Sequence, residues 1–539
     1  MKIARNILIQ EKSLMYKISV IIYLLIIAFP VTAKVYYISS EGNDLTGNGS
    51  ISMPWKSLSK ACSRVITPGD TIYVKAGYYN ETKTSRLAVG VSLTGEGNNS
   101  IITSTSLKAE WNPIIDMRSS LLVNGNQTIS YLKFDGELTA AMALDIRKRN
   151  NVRIHHCTFL DLFFTAVYWV GNGGRAGGDP YASAYPPINY VTGSEFHDNT
   201  VNNCSVYTYF GSGALYIGGH EGMLIFNNTI TQTSRANGRN GYCIKIFGNG
   251  GWMRGMKIYN NIITVSGNEW LFAIEGFFCM GSEIYNNTIT GAIDINFTWK
   301  DTYDYGLWIH NNTLGPVSSS SNGYTGIILE FRVEDNIIER NYFRNCAVGI
   351  HHTMRYPYPW VHREKIRYNK FYNSGNGSYH SAIRFGETSY DFDIDSLEIY
   401  NNIFHTESDA GAYFGLHIRG FRTASNVKIQ NNIFLNFSWS WFDSNRGNYI
   451  TNLYVQNNIL YKNANSNSAI LNGTPTNYIN TGNIIANPNF YSESNFHPKS
   501  NSPVIDAGIY IPGIIYDLED KQVDNPPNIG CYERIEISH

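Results

Sequence analysis

Charge is scarce in this chain. Lys, Arg, Asp and Glu make up 16% of its 539 residues, and 42 basic against 43 acidic side chains leave a formal net charge of −1. No global field is therefore available to recruit nucleic acid or an anionic membrane, and any anion must be held by a local group. Cysteine is sparse as well. Cys62, Cys157, Cys204, Cys243, Cys279, Cys346 and Cys531 are odd in number and form no CxxC pair, which argues against a zinc site or a full disulfide framework and leaves buried small apolar residues, with one disulfide as an alternative. Proline is limited to 17 residues. Nor is there a membrane span at the N-terminus, because the apolar run Ile18 to Phe29 is only twelve residues long. That run follows Lys12 and Lys17 and precedes Val31-Thr32-Ala33, the pattern of a secretory signal cleaved after Ala33, with Met15 as an alternative start. The expectation is a soluble protein secreted or exported to a bacterial periplasm, with no membrane attachment after cleavage.

What is abundant is Gly (48) and Tyr (38), a balance that favours strands and tight turns. The chain also repeats itself. Asn-Asn followed by a small or β-branched residue and an apolar one recurs at Asn227-Asn228, Asn260-Asn261, Asn286-Asn287, Asn311-Asn312, Asn401-Asn402, Asn431-Asn432 and Asn457-Asn458, with degenerate copies at Asn341, Asn369 and Asn483. The second Asn returns every 25–33 residues, a period that means a repeat architecture. Short alternating segments such as Met256-Lys257-Ile258-Tyr259 separate the copies, so each unit reads as a coil of about three short strands. Leucine-rich repeats lack this pattern, and propeller blades need about 40 residues. The sequence thus predicts an all-β, right-handed, single-stranded parallel β-helix of eleven or twelve coils. An Asn at each bend can take the left-handed conformation and bond its copy in the next coil, a structural role. Predicted boundaries are a signal peptide at 1–33, an N-terminal cap and first coils at 34–119, the β-helix repeats at 120–490 and a closing segment at 491–539.

After the cleavage site come Val35-Tyr36-Tyr37-Ile38-Ser39, then Pro54-Trp55-Lys56-Ser57-Leu58 leading into a short helical pattern through Ala61, then Pro68-Gly69-Asp70-Thr71-Ile72-Tyr73-Val74. Terminal repeats must cover an exposed core, and such a helix does so. This opening resembles secreted right-handed β-helix proteins of the pectate lyase superfamily, including relatives of chondroitinase B and the alginate lyases. The tail Ser502-Pro503-Val504-Ile505-Asp506-Ala507-Gly508 with Asn528-Ile529-Gly530-Cys531-Tyr532-Glu533 resembles the closing segment of many of them. The resemblance implies the fold and a polysaccharide partner. The Asn-Thr-Asp, Asp-Asp, Gly-His-Gly and Arg-Ile-Lys set of the polygalacturonases is absent, and no catalytic residue is carried over by resemblance.

The candidate site comes from alternation instead. One strand in each coil reads apolar, variable, apolar, and its middle residue points outward. In order these residues are Asp145, Tyr168, Tyr216, Lys245, Glu275, Asp294, Glu330, His351, Arg384 and His417. The run from Lys245 to His417 is ionisable throughout, whereas the strand before each Asn pair exposes Tyr259, Tyr285, His310, Tyr400, Gln430 and Gln456. Alternating charges on a solvated face are the bland explanation; the contrast between the two rows favours function. Eliminative cleavage of a uronic polymer needs a partner for the sugar carboxylate, a base for the C5 proton and an acid for the leaving oxygen. Lys245, His351 and Arg384 suit those tasks, and Glu275, Asp294 and Glu330 suit Ca²⁺ or catalysis. Hydrolysis instead needs two carboxyls, which neighbouring coils also supply. Tyr216, His417, Tyr356, Tyr358 and Trp360 are candidate substrate-binding residues, and residues 171–190 read as a long bordering loop. His352 reads as structural. Three functions follow in order: a lyase on uronic acid-containing glycans, a glycoside hydrolase, and a glycan-binding or adhesive solenoid without catalysis.

Overall fold

A computed structural model of the chain describes residues 32–109, 111–175, 184–205, 213–233, 242–247, 251–267, 272–317, 325–353, 359–375, 381–386, 392–407, 414–463, 469–492 and 495–533. The signal segment through residue 31, Tyr356 and Tyr358, and residues 176–183 of the expected loop lie outside these. The chain forms a parallel β-solenoid of about 11 turns, with almost every strand in one continuous hydrogen-bonded sheet.

Each central coil carries four short strand rows where the sequence suggested three. The coil around Thr325–Glu334 shows why. Residues 325–330 belong to the first row and 332–334 to the second, Ile337–Glu339 forms the third and Tyr342–Arg344 the fourth. Asp335, Arg340 and Asn345 sit between rows with φ of 57°, 57° and 52°, so left-handed residues turn the chain at three corners. Side chains alternate across every row, and the inward set builds one core. Phe343, Phe371, Phe404 and Phe434 stack inside at 4.5–4.6 Å between ring centroids, as the parallel register of identical positions requires.

The paired Asn residues divide the labour. The first of each pair, such as Asn260, Asn286 or Asn311, takes the left-handed conformation at 54–56°. The second forms an inner ladder from Asn199 to Asn483, each amide Nδ2 donating to Oδ1 of the next copy at 2.9–3.2 Å. Asn287 shows the economy of this arrangement. Its Nδ2 donates to Ile258 O, Tyr285 O and Asn312 Oδ1, while its Oδ1 accepts from the backbone N–H and Nδ2 of Asn261. Asn287→Ala orphans several buried groups at once, at about 1–3 kcal/mol for each. Urea unfolding should show a loss of about 3 kcal/mol or more, and a loss below about 1 kcal/mol would contradict the ladder's structural weight.

Helix α1 (Leu58–Arg64) caps the first coils. Ser57 accepts from the Lys60 N–H at its N-terminus, and Leu58, Ala61 and Cys62 enter the core. All seven cysteines are buried and unpaired, in line with their reading as small apolar residues. The expected loop at 171–190 begins and ends as an antiparallel ribbon, Asn172–Arg175 against Tyr185–Asn189. The closing segment turns back along the flank of the coils, where Gly530 N–H donates to Asn431 O and Val504, Ile529 and Cys531 pack on Ile403 and Ile433.

Candidate active site

The first strand row carries the ionisable residues, and inward apolar neighbours fix their orientation. Ile244 and Ile246, Ile293 and Ile295, Ile383 and Phe385, and Leu416 and Ile418 are buried in the core, so the residue between each pair faces outward. Parallel register aligns Asp116, Asp145, Tyr168, Tyr216, Lys245, Glu275, Asp294, Ile328, His351, Arg384, His417 and Asp443.

Two corrections to the sequence reading follow. The partner of Asp294 is Ile328, and Glu330 stands two residues further along the strand, opposite Thr353. Ile328 and Glu330 are both outward positions of one regularly paired strand, which alternation alone does not tell apart, and a bulge follows them. Ile295 pairs with Leu329 but Phe297 pairs with Arg332, so Glu330 and Phe331 together face Asn296, and Phe331 adopts φ 62°. The row is also covered where an open charged strip was expected. Lys245, Glu275, Asp294, Glu330, His351 and His417 are all buried; Arg384, Tyr168 and Tyr216 retain partial exposure.

Ile328 divides the row into two groups. In the first, Lys245 contacts the Glu275 carboxylate and lies 4.1 Å from the ring centre of Tyr242, 5.5 Å from Phe247 and 5.7 Å from Phe277. Burial pulls the Lys245 pKa down to about 7, opposed by the charges of Asp294 and Glu330. Thr353 donates its hydroxyl to Glu330 Oε1 at 2.9 Å. Apolar clusters close both sides, Tyr242, Phe272, Ala292 and Ile328 on one, Phe277, Phe278, Phe297 and Phe331 on the other.

In the second group, His351, Arg384, His417 and Asp443 occupy four successive strands, at ~4.8 Å per step. His417 Nε2 lies 3.4 Å from Asp443 Oδ2, which also accepts from Arg419 Nε at 2.9 Å. Burial lowers the His417 pKa, with Asp443 pulling the other way. Asp443 titrates below the ordinary aspartate range. Its burial opposes that shift, and bonds from His417 and Arg419 outweigh the burial. Arg384 donates Nε to Gly386 O at 3.2 Å.

At the N-terminal end of the row, Tyr168 and Tyr216 stack at 5.0 Å and the Arg147 guanidinium lies 4.8 Å from the Tyr168 ring. Asp145 accepts from Arg147, and Asp116 from Arg118, so these acids are neutralised along their own strands. Trp360 stands on the second row, its Nε1 donating to Glu334 at 2.7 Å and its ring covered by Arg332 at 4.3 Å. His352 points inward, as expected, and pairs with Glu364 at 2.9 Å. Among the described residues no three His, Cys, Asp or Glu side chains are placed to hold a metal ion, and Glu275 already spends its carboxylate on Lys245.

A tailspike protein variant of E. coli bacteriophage HK620, solved with a pentasaccharide, superposes with a TM-score of 0.50 over 80% of this chain and 79% of that one, at 11% identity. The fold is a pectate lyase-like β-helix. The Agl-KA catalytic domain aligns at TM-score 0.46 and 15% identity, over 73% of this chain and 69% of its own. A mannuronic acid-specific polysaccharide family 6 lyase from human gut microbiota aligns at 0.37 and 13%, over 75% and 87%. No family model and no curated protein matches the sequence.

Besides Ile328, two members of this β-helix row escape sequence reasoning. Asp443 sits in Trp441-Phe442-Asp443-Ser444, where Ser replaces the second apolar residue of the expected pattern. Asp116 precedes the first clear repeat. Sequence position also hides Arg419, which reaches the row only through its bond to Asp443.

Proposed function

We propose that the protein is an exported polysaccharide-active enzyme that cleaves a uronic acid-containing glycan by β-elimination. The observation that carries this reading is one partly exposed arginine, Arg384, between two buried histidines on adjacent strands, His351 and His417. The Arg384 fork pairs with the uronate carboxylate, and in doing so makes the C5 proton more acidic. Burial keeps His417 neutral, so it takes that proton, and Asp443 balances the charge the imidazole gains. As the C4–O bond breaks and a C4=C5 double bond forms, His351 on the other side of Arg384 returns a proton to the leaving oxygen. The rings of Tyr168 and Tyr216 supply stacking surface further along. The pentasaccharide bound by the tailspike of like fold supports a glycan as substrate. Ca²⁺ has no converging donor set among the described residues.

A panel of uronic polymers tests the reading. Ultraviolet absorbance of an unsaturated uronate is expected. Reducing ends without it would favour hydrolysis by Glu275 and Asp294, which are adjacent in register, and no product at all would leave a glycan-binding solenoid. The pH profile is a further check. Because His417 must be neutral to act and its pKa is lowered, the acid limb of kcat/KM should fall below the ordinary histidine value of about 6.5. In the unfolded chain His417 protonates more readily, so its contribution to stability is also lost as the pH falls below about 6.5. An acid limb above that value would remove His417 from the role of base. Export rests on the apolar run before Ala33, and N-terminal sequencing of the exported product should begin at Lys34.

A further inference from the structure

A cleft of about 480 Å³ lies on the third strand row, away from the ionisable ladder. Trp308 and His310 come from one coil, Glu339 and Arg340 from the next, and the returning C-terminal segment supplies Tyr516 and Asp520. This volume is in the range of small-ligand sites.

The cleft is built from fixed groups. Glu339 is buried, and Trp308 Nε1 donates to its Oε1 at 2.9 Å while Arg367 Nε donates to its Oε2. Arg367 reaches on to the Tyr400 hydroxyl at 3.1 Å, and Arg340 donates to Asp520 at 2.6 Å. Two guanidinium groups thus face two carboxylates, and the lining has no net charge. Its rings are equally well held. His310 lies 4.2 Å from Trp308 and ends a stack through His197, Phe226, Tyr259 and Tyr285 at 4.6–4.9 Å per step. Tyr516 is 53% exposed. The Nε2 atom of His310 is buried and has no hydrogen-bond partner among the described residues, and burial brings its pKa down to about 4, so the ring is neutral at neutral pH and can donate or accept.

Flat apolar faces beside rigid hydrogen-bonding groups, with no net charge, match a neutral hydroxylated ring. We propose that this cleft binds a neutral sugar unit of a glycan and anchors the polymer outside the ladder site. The choice of a sugar rests on the polysaccharide reading above.

Calorimetric titration of the full chain carrying Arg384→Ala, with cellohexaose, xylohexaose, mannohexaose and an oligouronate of equal length, tests this. At least one neutral hexaose should bind, and adding Tyr516→Ala should weaken it tenfold or more. In the chain with Arg384 intact, Tyr516→Ala should leave turnover of a short soluble substrate unchanged. Binding of the oligouronate alone, no binding of any neutral hexaose, or affinity that survives both Tyr516→Ala and Trp308→Phe would overturn the proposal. A parent without turnover but with hexaose binding sensitive to Tyr516 would refute the lyase reading and uphold the cleft.

Discussion

Arg384→Ala is expected to lower turnover on a uronate polymer by about 10²–10³-fold, the cost of removing one preorganised charge partner from a transition state. The fold should survive, because Arg384 is partly exposed and faces out of the core between Ile383 and Phe385; unfolding free energy should change by less than about 1 kcal/mol. Arg384→Lys separates charge from geometry. It keeps the cation and loses the planar fork, so activity should lie between parent and alanine variant. Steady-state rates on the polymer that the parent cleaves decide the matter. Near-parental turnover in Arg384→Ala would place the chemistry elsewhere, with the Lys245 group as the next candidate.

The other large effect concerns stability. Lys245→Met should cost about 3–5 kcal/mol, because it strips the cation from a buried pair and leaves Glu275 charged among aromatic rings. Adding Glu275→Leu should recover most of that loss, since two apolar groups fill such a site about as well as an ion pair. Urea unfolding of the two single variants and the double variant gives the coupling directly. A loss below about 1 kcal/mol in Lys245→Met would mean that water reaches the pair. Tyr400, expected from alternation to be exposed on the neighbouring row, is buried and bonded to Arg367, which makes it a poor control for such experiments. Gln430, half-buried on the same row, is a better one.

The fold was legible because its repeating signal is local and chemical. An Asn pair every 25–33 residues marks each bend, and alternation then sorts the residues beside it into core and surface. The site was legible only as a row. Alternation shows that Lys245 leaves the core; it carries no information on what lies over the outer face, so the burial of Lys245, Glu275 and His351 could not be read. The place of Glu330 could not be read either, because Ile328 and Glu330 are both outward positions of one strand and alternation does not choose between them. The bulge that follows is unmarked too, since it centres on Phe331 in the left-handed region, a conformation that bulky residues rarely take and that Asn or Gly would have announced. Asp443 was missed for the opposite reason, since a Ser broke the pattern that defined the row.

The Asn ladder has a direction. Each ladder Asn from Asn199 to Asn458 gives both its backbone N–H and its Nδ2 to the copy in the following coil, never to the preceding one. A coil is therefore finished only when the next 25–33 residues arrive. For a chain threaded N-terminus first through a ribosome or an export channel, the growing end always presents open donors to the segment just emerging. Closure then proceeds in short loops from the capped end, so assembly works as a ratchet in which every completed turn draws in the one behind it.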